Sequence, residues 1–225
     1  MDTEVTRQPA AGGARRALAT RDAHWARALA RWLARLGARP NPVSVAGVAI
    51  TLAAAVALTM APQVRAPVRV ALLVAAAAGI QLRLLCNLLD GMLAVEHDLK
   101  SKTGEIFNEV PDRIADVVIL VAAGYSVRHA AYGVALGWGA ALLALFTAYV
   151  RVFAGSLGLR QQFIGPMAKQ HRMFILTIAT VLSAAEAWWG LPPRAMRAGL
   201  VVIIVGSGLT VVLRIHRIVR DIETR

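Results

Sequence analysis

Residues 87–116 read NLLDGMLAVEHDLKSKTGEIFNEVPDRIAD, and this stretch decides how the rest of the chain is to be read. It places five acidic or amide side chains, Asn87, Asp90, Asn108, Asp112 and Asp116, in segments otherwise apolar enough to cross a bilayer. Each such group is costly to hold in hydrocarbon unless it faces a partner, a cavity or an ion, so a span that carries them is functional by default. Helical periodicity gives them a common direction. Arg83, Asn87, Asp90 and Ala94 stand at i, i+4, i+7 and i+11, one stripe near the end of their segment. Asn108, Asp112 and Asp116 stand at i, i+4 and i+8 near the start of the next. The short loop between makes the two helices antiparallel neighbours, so both stripes can face one cavity at similar depth. Oxygen donors of this kind suit Mg2+ or Mn2+.

Working outward, the composition is that of a membrane protein. Of 225 residues 57% are hydrophobic and only 17% charged, and the mean hydropathy is +0.57; a soluble domain of this length would carry more charge. Six apolar segments can be drawn, roughly 43–60, 68–95, 106–126, 131–150, 173–190 and 196–213, each near the ~20 residues a spanning helix needs. The expected fold is an all-α integral membrane protein of six transmembrane helices, one domain over residues 40–225. No secretory signal is expected, because the first apolar run follows some forty Arg-rich residues.

The net charge of +12 is distributed as a topology signal. Eighteen Lys and Arg residues lie before the first span, in the second and fourth connections and in the tail, whereas the other connections hold five: Arg65, Arg69, Arg128, Arg194 and Arg197. The positive-inside bias then puts both termini and the loops around 96–105 and 151–172 in the cytoplasm, with the chain multi-pass in the cytoplasmic (inner) membrane. Nucleic acid is not an expected partner, because the basic residues flank spans and carry no recognition motif.

Ahead of the spans, residues 1–20 form a polar, basic segment expected to be disordered. Residues 21–39 include HWARALARWLARLGARP, in which Trp25, Leu29, Trp32, Leu33 and Leu36 recur at helical spacing while Arg27, Arg31 and Arg35 run along another face. That pattern predicts an amphipathic helix lying at an anionic membrane surface, stopped by Gly37 and the prolines Pro40 and Pro42. Trp188 and Trp189 sit at a span end, where interfacial anchoring accounts for them. Cys86 is the one cysteine, so no internal disulfide can form.

The 87–116 stretch resembles the signature of the CDP-alcohol phosphotransferases, DxxDGxxAR followed after about eight residues by GxxxDxxxD. Asp90, Gly91, Ala94, Gly104 and Asp112 match in register, whereas Asn87, Val95 and Asn108 depart from it. PNPVS at 40–44 likewise resembles the PNxxT with which that family begins its first span. The resemblance implies metal-dependent transfer of a substituted phosphate from a CDP-activated alcohol, such as CDP-diacylglycerol, to a hydroxyl acceptor with release of CMP. It also implies the bilayer as environment and a homodimer. Carried over residue by residue, Asn87, Asp90, Asn108, Asp112 and Asp116 would hold the metal, and Arg83, Gly91, Ala94 and Gly104 would receive the nucleotide. Arg151, Lys169 and Arg172, basic groups after the fourth span, would receive an anionic acceptor.

In direct register the family's proton-accepting Asp is Asp112, and Asp116 is a deeper residue paired with Arg83. In a register one turn deeper, Asp112 and Asp116 replace the family's final Asp pair. The shift is favoured on charge, since it supplies two carboxylates where the direct pair supplies one. Glu109 is placed to pair with Arg113 four residues on. Two other readings remain open: a catalytically silent relative that binds lipid or a partner, because of the two Asn, and a proton-coupled transporter built around the buried acids.

Overall fold

A computed structural model describes residues 24–96 and 104–224. The predicted disordered segment at 1–20 and most of the loop at 96–105 lie outside the described residues. Among the described residues all regular structure is helical: α1 (His24–Arg35), α2 (Pro40–Met60), α3 (Ala66–Glu96), α4 (Gly104–Ser126), α5 (Gly133–Ser156), α6 (Lys169–Trp188) and α7 (Ala195–Glu223).

Local chemistry sets the boundaries. The expected surface helix is α1, shorter than the 21–39 of its pattern; Gly37 ends it with φ of +77° as Ala38 N–H reaches back to the Leu33 carbonyl at 3.0 Å. Pro40 then opens α2, where its missing N–H costs nothing. A 3-10 turn at Ala61–Gln63 closes α2. Arginines finish that end: Arg69 Nε donates to the Ala61 carbonyl at 3.0 Å and Arg128 Nη1 to the Thr59 carbonyl at 3.0 Å, satisfying acceptors the helix itself cannot.

The six long helices close into a ring in the spatial order α2, α3, α6, α7, α5, α4, with α4 returning to α2. The interior is filled by side chains such as Ile80, Ile119, Leu120, Met173, Leu176 and Leu200, none more than 1% exposed. Small residues bring the backbones together. At the α4–α5 crossing a Cβ on Gly124 would stand 2.7 Å from the Cα of Gly137, closer than any side chain tolerates.

Four helical segments are long and apolar enough to cross a membrane: Pro40–Gln63, Ala66–Ala94, Gly133–Ser156 and Ala195–Glu223. The protein is accordingly an integral membrane protein. The count differs from the six expected because α4 and α6 carry charge within their first turns, Glu109, Asp112, Arg113 and Asp116 in one, Lys169 and Arg172 in the other. Those two helices, which fall short as simple apolar spans, supply Asp112, Asp116, Lys169 and Arg172 to the polar site, and α3 and α2 supply the rest.

Candidate functional site

The short loop predicts that α3 and α4 are packed neighbours, but α2 packs against both and stands between them in the ring; the end of α3 and the start of α4 reach each other through long side chains, and α6 packs on the other side of α3. Asp116 is at the centre, 2% exposed. Its Oδ1 accepts Arg83 Nη2 at 2.6 Å and its Oδ2 accepts Arg172 Nη2 at 3.0 Å. One carboxylate therefore joins α3, α4 and α6. Both arginines are 2% exposed and direct further donors to local groups, although Arg172 Nε is buried with no hydrogen-bond partner. Arg83 donates from Nη2 to the Asp112 carbonyl at 3.0 Å and from Nη1 to Met173 Sδ at 3.4 Å. Arg172 Nη1 donates to Thr147 Oγ1 at 3.1 Å and to the Met167 carbonyl at 3.2 Å.

One turn nearer the helix start, Asp112 is held more loosely. Its Oδ1 is 3.6 Å from Arg83 Nη2, its Oδ2 pairs with Lys169 Nζ, and its side chain is 16% exposed. Lys169 is the first residue of α6.

Across a narrow cleft lined by Ser44, Gly47, Arg83, Asn87, Asp112 and Ala115 lies the α3 stripe. Asp90 Oδ2 accepts the Ser44 hydroxyl at 2.5 Å, while Asp90 Oδ1 and Asn87 Nδ2 are buried with no hydrogen-bond partner. An orphaned buried carboxylate oxygen is expensive, and a ligand is the ordinary remedy. Gly91 and Ala94 continue α3 beyond Asp90, and Gly104 is the first residue of α4. Asn108 is in the first turns of α4, but its side chain lies outside the described residues.

Arg151 engages partners of its own: its Nη2 donates to Glu109 Oε1 and Oε2 at 2.7 and 2.8 Å, its Nη1 to Gln161 Oε1 at 2.9 Å, and its guanidinium lies 5.7 Å from the centre of the Phe163 ring. Glu109 also accepts Arg113 at 2.6 Å, the i,i+4 pair read from the sequence. His171 Nδ1 contacts the Pro166 carbonyl at 2.7 Å.

Two contributors escaped the sequence reading. Ser44 fills the Thr position of PNxxT, so the signal was there without an assigned task. Arg214 of α7, 5% exposed, had none, because it looked like one more basic residue in the tail. Its Nη1 donates to the Thr147 carbonyl at 2.6 Å and its Nε to the Ile164 carbonyl at 3.0 Å. With Met167 N–H on Thr210 Oγ1 at 2.9 Å, it fastens the segment before α6 to α7 and so sets where Lys169 and Arg172 begin.

Whether these residues fit a divalent cation turns on oxygens. Among the described residues no three His, Cys, Asp or Glu side chains gather at one point. The available set is Asp90 with its orphaned oxygen, the Asn87 amide and Asp112. Mg2+ is commonly held by one or two carboxylates completed by substrate phosphates, and the set fits that mode.

No family model matches the sequence. An uncharacterized protein of Aquifex aeolicus (strain VF5) is 28% identical over 145 residues, which cover 63% of this chain and 67% of that protein. Among solved structures, the phosphatidylinositol phosphate synthase of Mycobacterium tuberculosis with CDP-DAG bound is similar at a TM-score of 0.71 and 24% identity, over 87% of this chain and 94% of that one. The same synthase in complex with manganese and citrate gives 0.71 and 23%, over 86% and 88%. Its apo form gives 0.67 and 25%, over 84% and 93%. The chain shares the fold of that synthase.

Proposed function

We propose that the chain is a metal-dependent CDP-alcohol phosphatidyltransferase of phospholipid biosynthesis, with CDP-diacylglycerol as its donor. The acceptor hydroxyl attacks the lipid-bearing phosphorus, the pyrophosphate P–O bond breaks and CMP leaves. The observation that carries this reading is the unpartnered buried Asp90 Oδ1, about one helical turn from Asn87, which lines a cleft with Asp112. The fold shared with a synthase solved with CDP-DAG and with manganese supports it.

Asn87, Asp90, Asn108 and Asp112 would hold the cation, whose chemistry is to neutralise the pyrophosphate. Asp112 would take the acceptor's proton. The direct register is preferred here because both oxygens of Asp116 already accept guanidinium groups, which leaves it the task of orienting Arg83 and Arg172. Gly91, Ala94 and Gly104, lacking bulk, would admit the nucleotide. Lys169 and Arg172 would face an anionic acceptor, with Arg151 steering from the Glu109 pair.

All six helices from α2 to α7 are assigned as crossings, with α1 on the surface and both termini cytoplasmic. At 1.5 Å per residue α4 and α6 span roughly 30 Å, the thickness of the hydrocarbon core. A second copy would sit on the apolar groove between α4 and α5, about 1030 Å³, lined by Val110, Leu142, Phe146 and Tyr149 among others.

A second reading, a silent relative that binds lipid or a partner, draws on the engagement of Asp116 with two arginines and on Asn87. One experiment decides between them. Purified protein is incubated with Mg2+ or Mn2+, CDP-diacylglycerol and a panel of hydroxyl acceptors, and CMP and lipid products are followed by mass spectrometry. Metal-dependent CMP release establishes the transferase; its absence with every acceptor leaves the silent reading.

A further inference from the structure

The three sides of α1 meet three different environments. Ala26, Leu29, Ala30 and Leu33 turn toward α3, and the two alanines are fully buried with Leu89 and Met92. Trp25, Trp32 and Leu36 form the next strip and are 56%, 56% and 65% exposed. Arg27, Arg31 and Arg35 occupy the far flank, exposed, as is Arg39 just before α2. At about 100° per residue the tryptophan strip falls between the docked side and the arginines. No Asp or Glu occurs anywhere from residue 24 to 89, so α1 and α2 themselves give Arg31, Arg35 and Arg39 no acidic neighbour. A helix with an aromatic edge beside a row of arginines is matched to the boundary of an anionic leaflet.

The docked side connects this surface to the site. Leu88, Leu89 and Met92 alternate along α3 with Asn87 and Asp90, and Val43, next to Ser44, belongs to the same packed cluster. Ser44 donates to Asp90. A change in the seating of α1 would therefore move both partners of that hydrogen bond.

We infer that α1 is a receptor for anionic phospholipid headgroups that sets the position of the Asp90 turn of α3. Trp25, Trp32 and Leu36 sink into the acyl boundary, and Arg31, Arg35 and Arg39 bind headgroup phosphates. Seating fixes the site helix; its effect on turnover rests on the transferase reading above.

The test uses the full chain with Trp138, Trp188 and Trp189 replaced by Phe, in nanodiscs of phosphatidylcholine with graded phosphatidylglycerol and constant CDP-diacylglycerol. Quenching of the remaining tryptophans by lipids brominated near the top of the acyl chain reports seating. Each arginine near an anionic surface should strengthen seating by about fivefold. Quenching should rise with the anionic fraction, flatten in the triple variant R31Q/R35Q/R39Q, and return when the same three are Lys. CMP release should follow it. Quenching indifferent to anionic lipid, or equal in the Gln variant, would overturn the receptor. Quenching that responds while CMP release does not would overturn the link to the site. No CMP release in any lipid would count against the transferase reading alone, with the quenching titration still deciding the receptor.

Discussion

Asp116 holds two guanidinium groups that have no other carboxylate as close, and this separates its task from that of Asp112. Removing one partner of a buried ion pair costs about 3–5 kcal/mol, because the remaining charge stays buried. Asp116→Asn is therefore expected to lower the unfolding temperature in detergent and to reduce CMP release, without changing the metal concentration at half-maximal activity. Asp112→Asn should leave stability nearly intact, since that carboxylate is partly exposed, yet raise the metal requirement and cut turnover by roughly 10² or more, the scale of a lost general base. If instead Asp116→Asn moves the metal requirement and Asn108→Ala is mild, the register one turn deeper is restored. Asp90→Ala should abolish metal-dependent turnover in a folded protein, because its unpartnered oxygen contributes ligation rather than packing; unchanged CMP release would remove Asp90 from the site. The Arg83–Asp116 pair was one of two arrangements that helical spacing allowed, and the count of carboxylates favoured the other. The second arginine at Asp116 was not legible, because a link 56 residues away depends on where α6 docks.

At the scale of elements, apolar runs located every long helix, since a span must satisfy its own backbone and so runs uninterrupted, but α5 and α7 continue to Ser156 and Glu223, well past the ends expected at 150 and 213. The runs did not reveal which helices touch. The ring order depends on close approaches such as Gly124 against Gly137, and a glycine in an apolar run looks the same whether it faces lipid or a neighbour. This can be measured. Gly124→Ala puts a methyl group where the partner backbone is, and overpacking of this kind costs about 1–3 kcal/mol, read as a lower melting temperature. Gly208→Ala, with nothing within 4 Å of the added carbon, should be neutral or slightly stabilising, because alanine is the better helix former. Equal effects at the two positions would mean that the α4–α5 crossing is not held by backbone contact. The reading of α1 needed a similar refinement. Its apolar residues are not one face but two, Leu29 and Leu33 docking on α3 while Trp25, Trp32 and Leu36 stay exposed, and periodicity alone cannot divide a stripe between protein and lipid.

For the whole molecule the governing quantity is where the positive charge lies relative to the ring. The polar site sits at the ends of α3 and α4 joined by the loop at 96–105, the same end from which α6 begins with Lys169 and from which α7 carries Arg214, Arg217 and Arg220 outward. Described basic residues gather there too, Arg31, Arg35, Arg39, Arg160 and Lys169 among them, whereas Arg65, Arg69, Arg128, Arg194 and Arg197 lie at the other end. Basic flanks are retained on the cytoplasmic side during insertion, so the site should open to the cytoplasm, the side from which the proposed reaction would exchange its water-soluble nucleotide. Orientation is thus a functional statement as well as a topological one. The measurement is cysteine accessibility in intact cells on a background with Cys86→Ser, with single cysteines introduced at Ser101 for the site end and at Pro193 for the opposite end. Ser101→Cys should resist a membrane-impermeant maleimide until the membrane is permeabilised, and Pro193→Cys should react from outside. Labelling of Ser101→Cys from outside, with Pro193→Cys protected, would invert the protein and deny the site its cytoplasmic nucleotide.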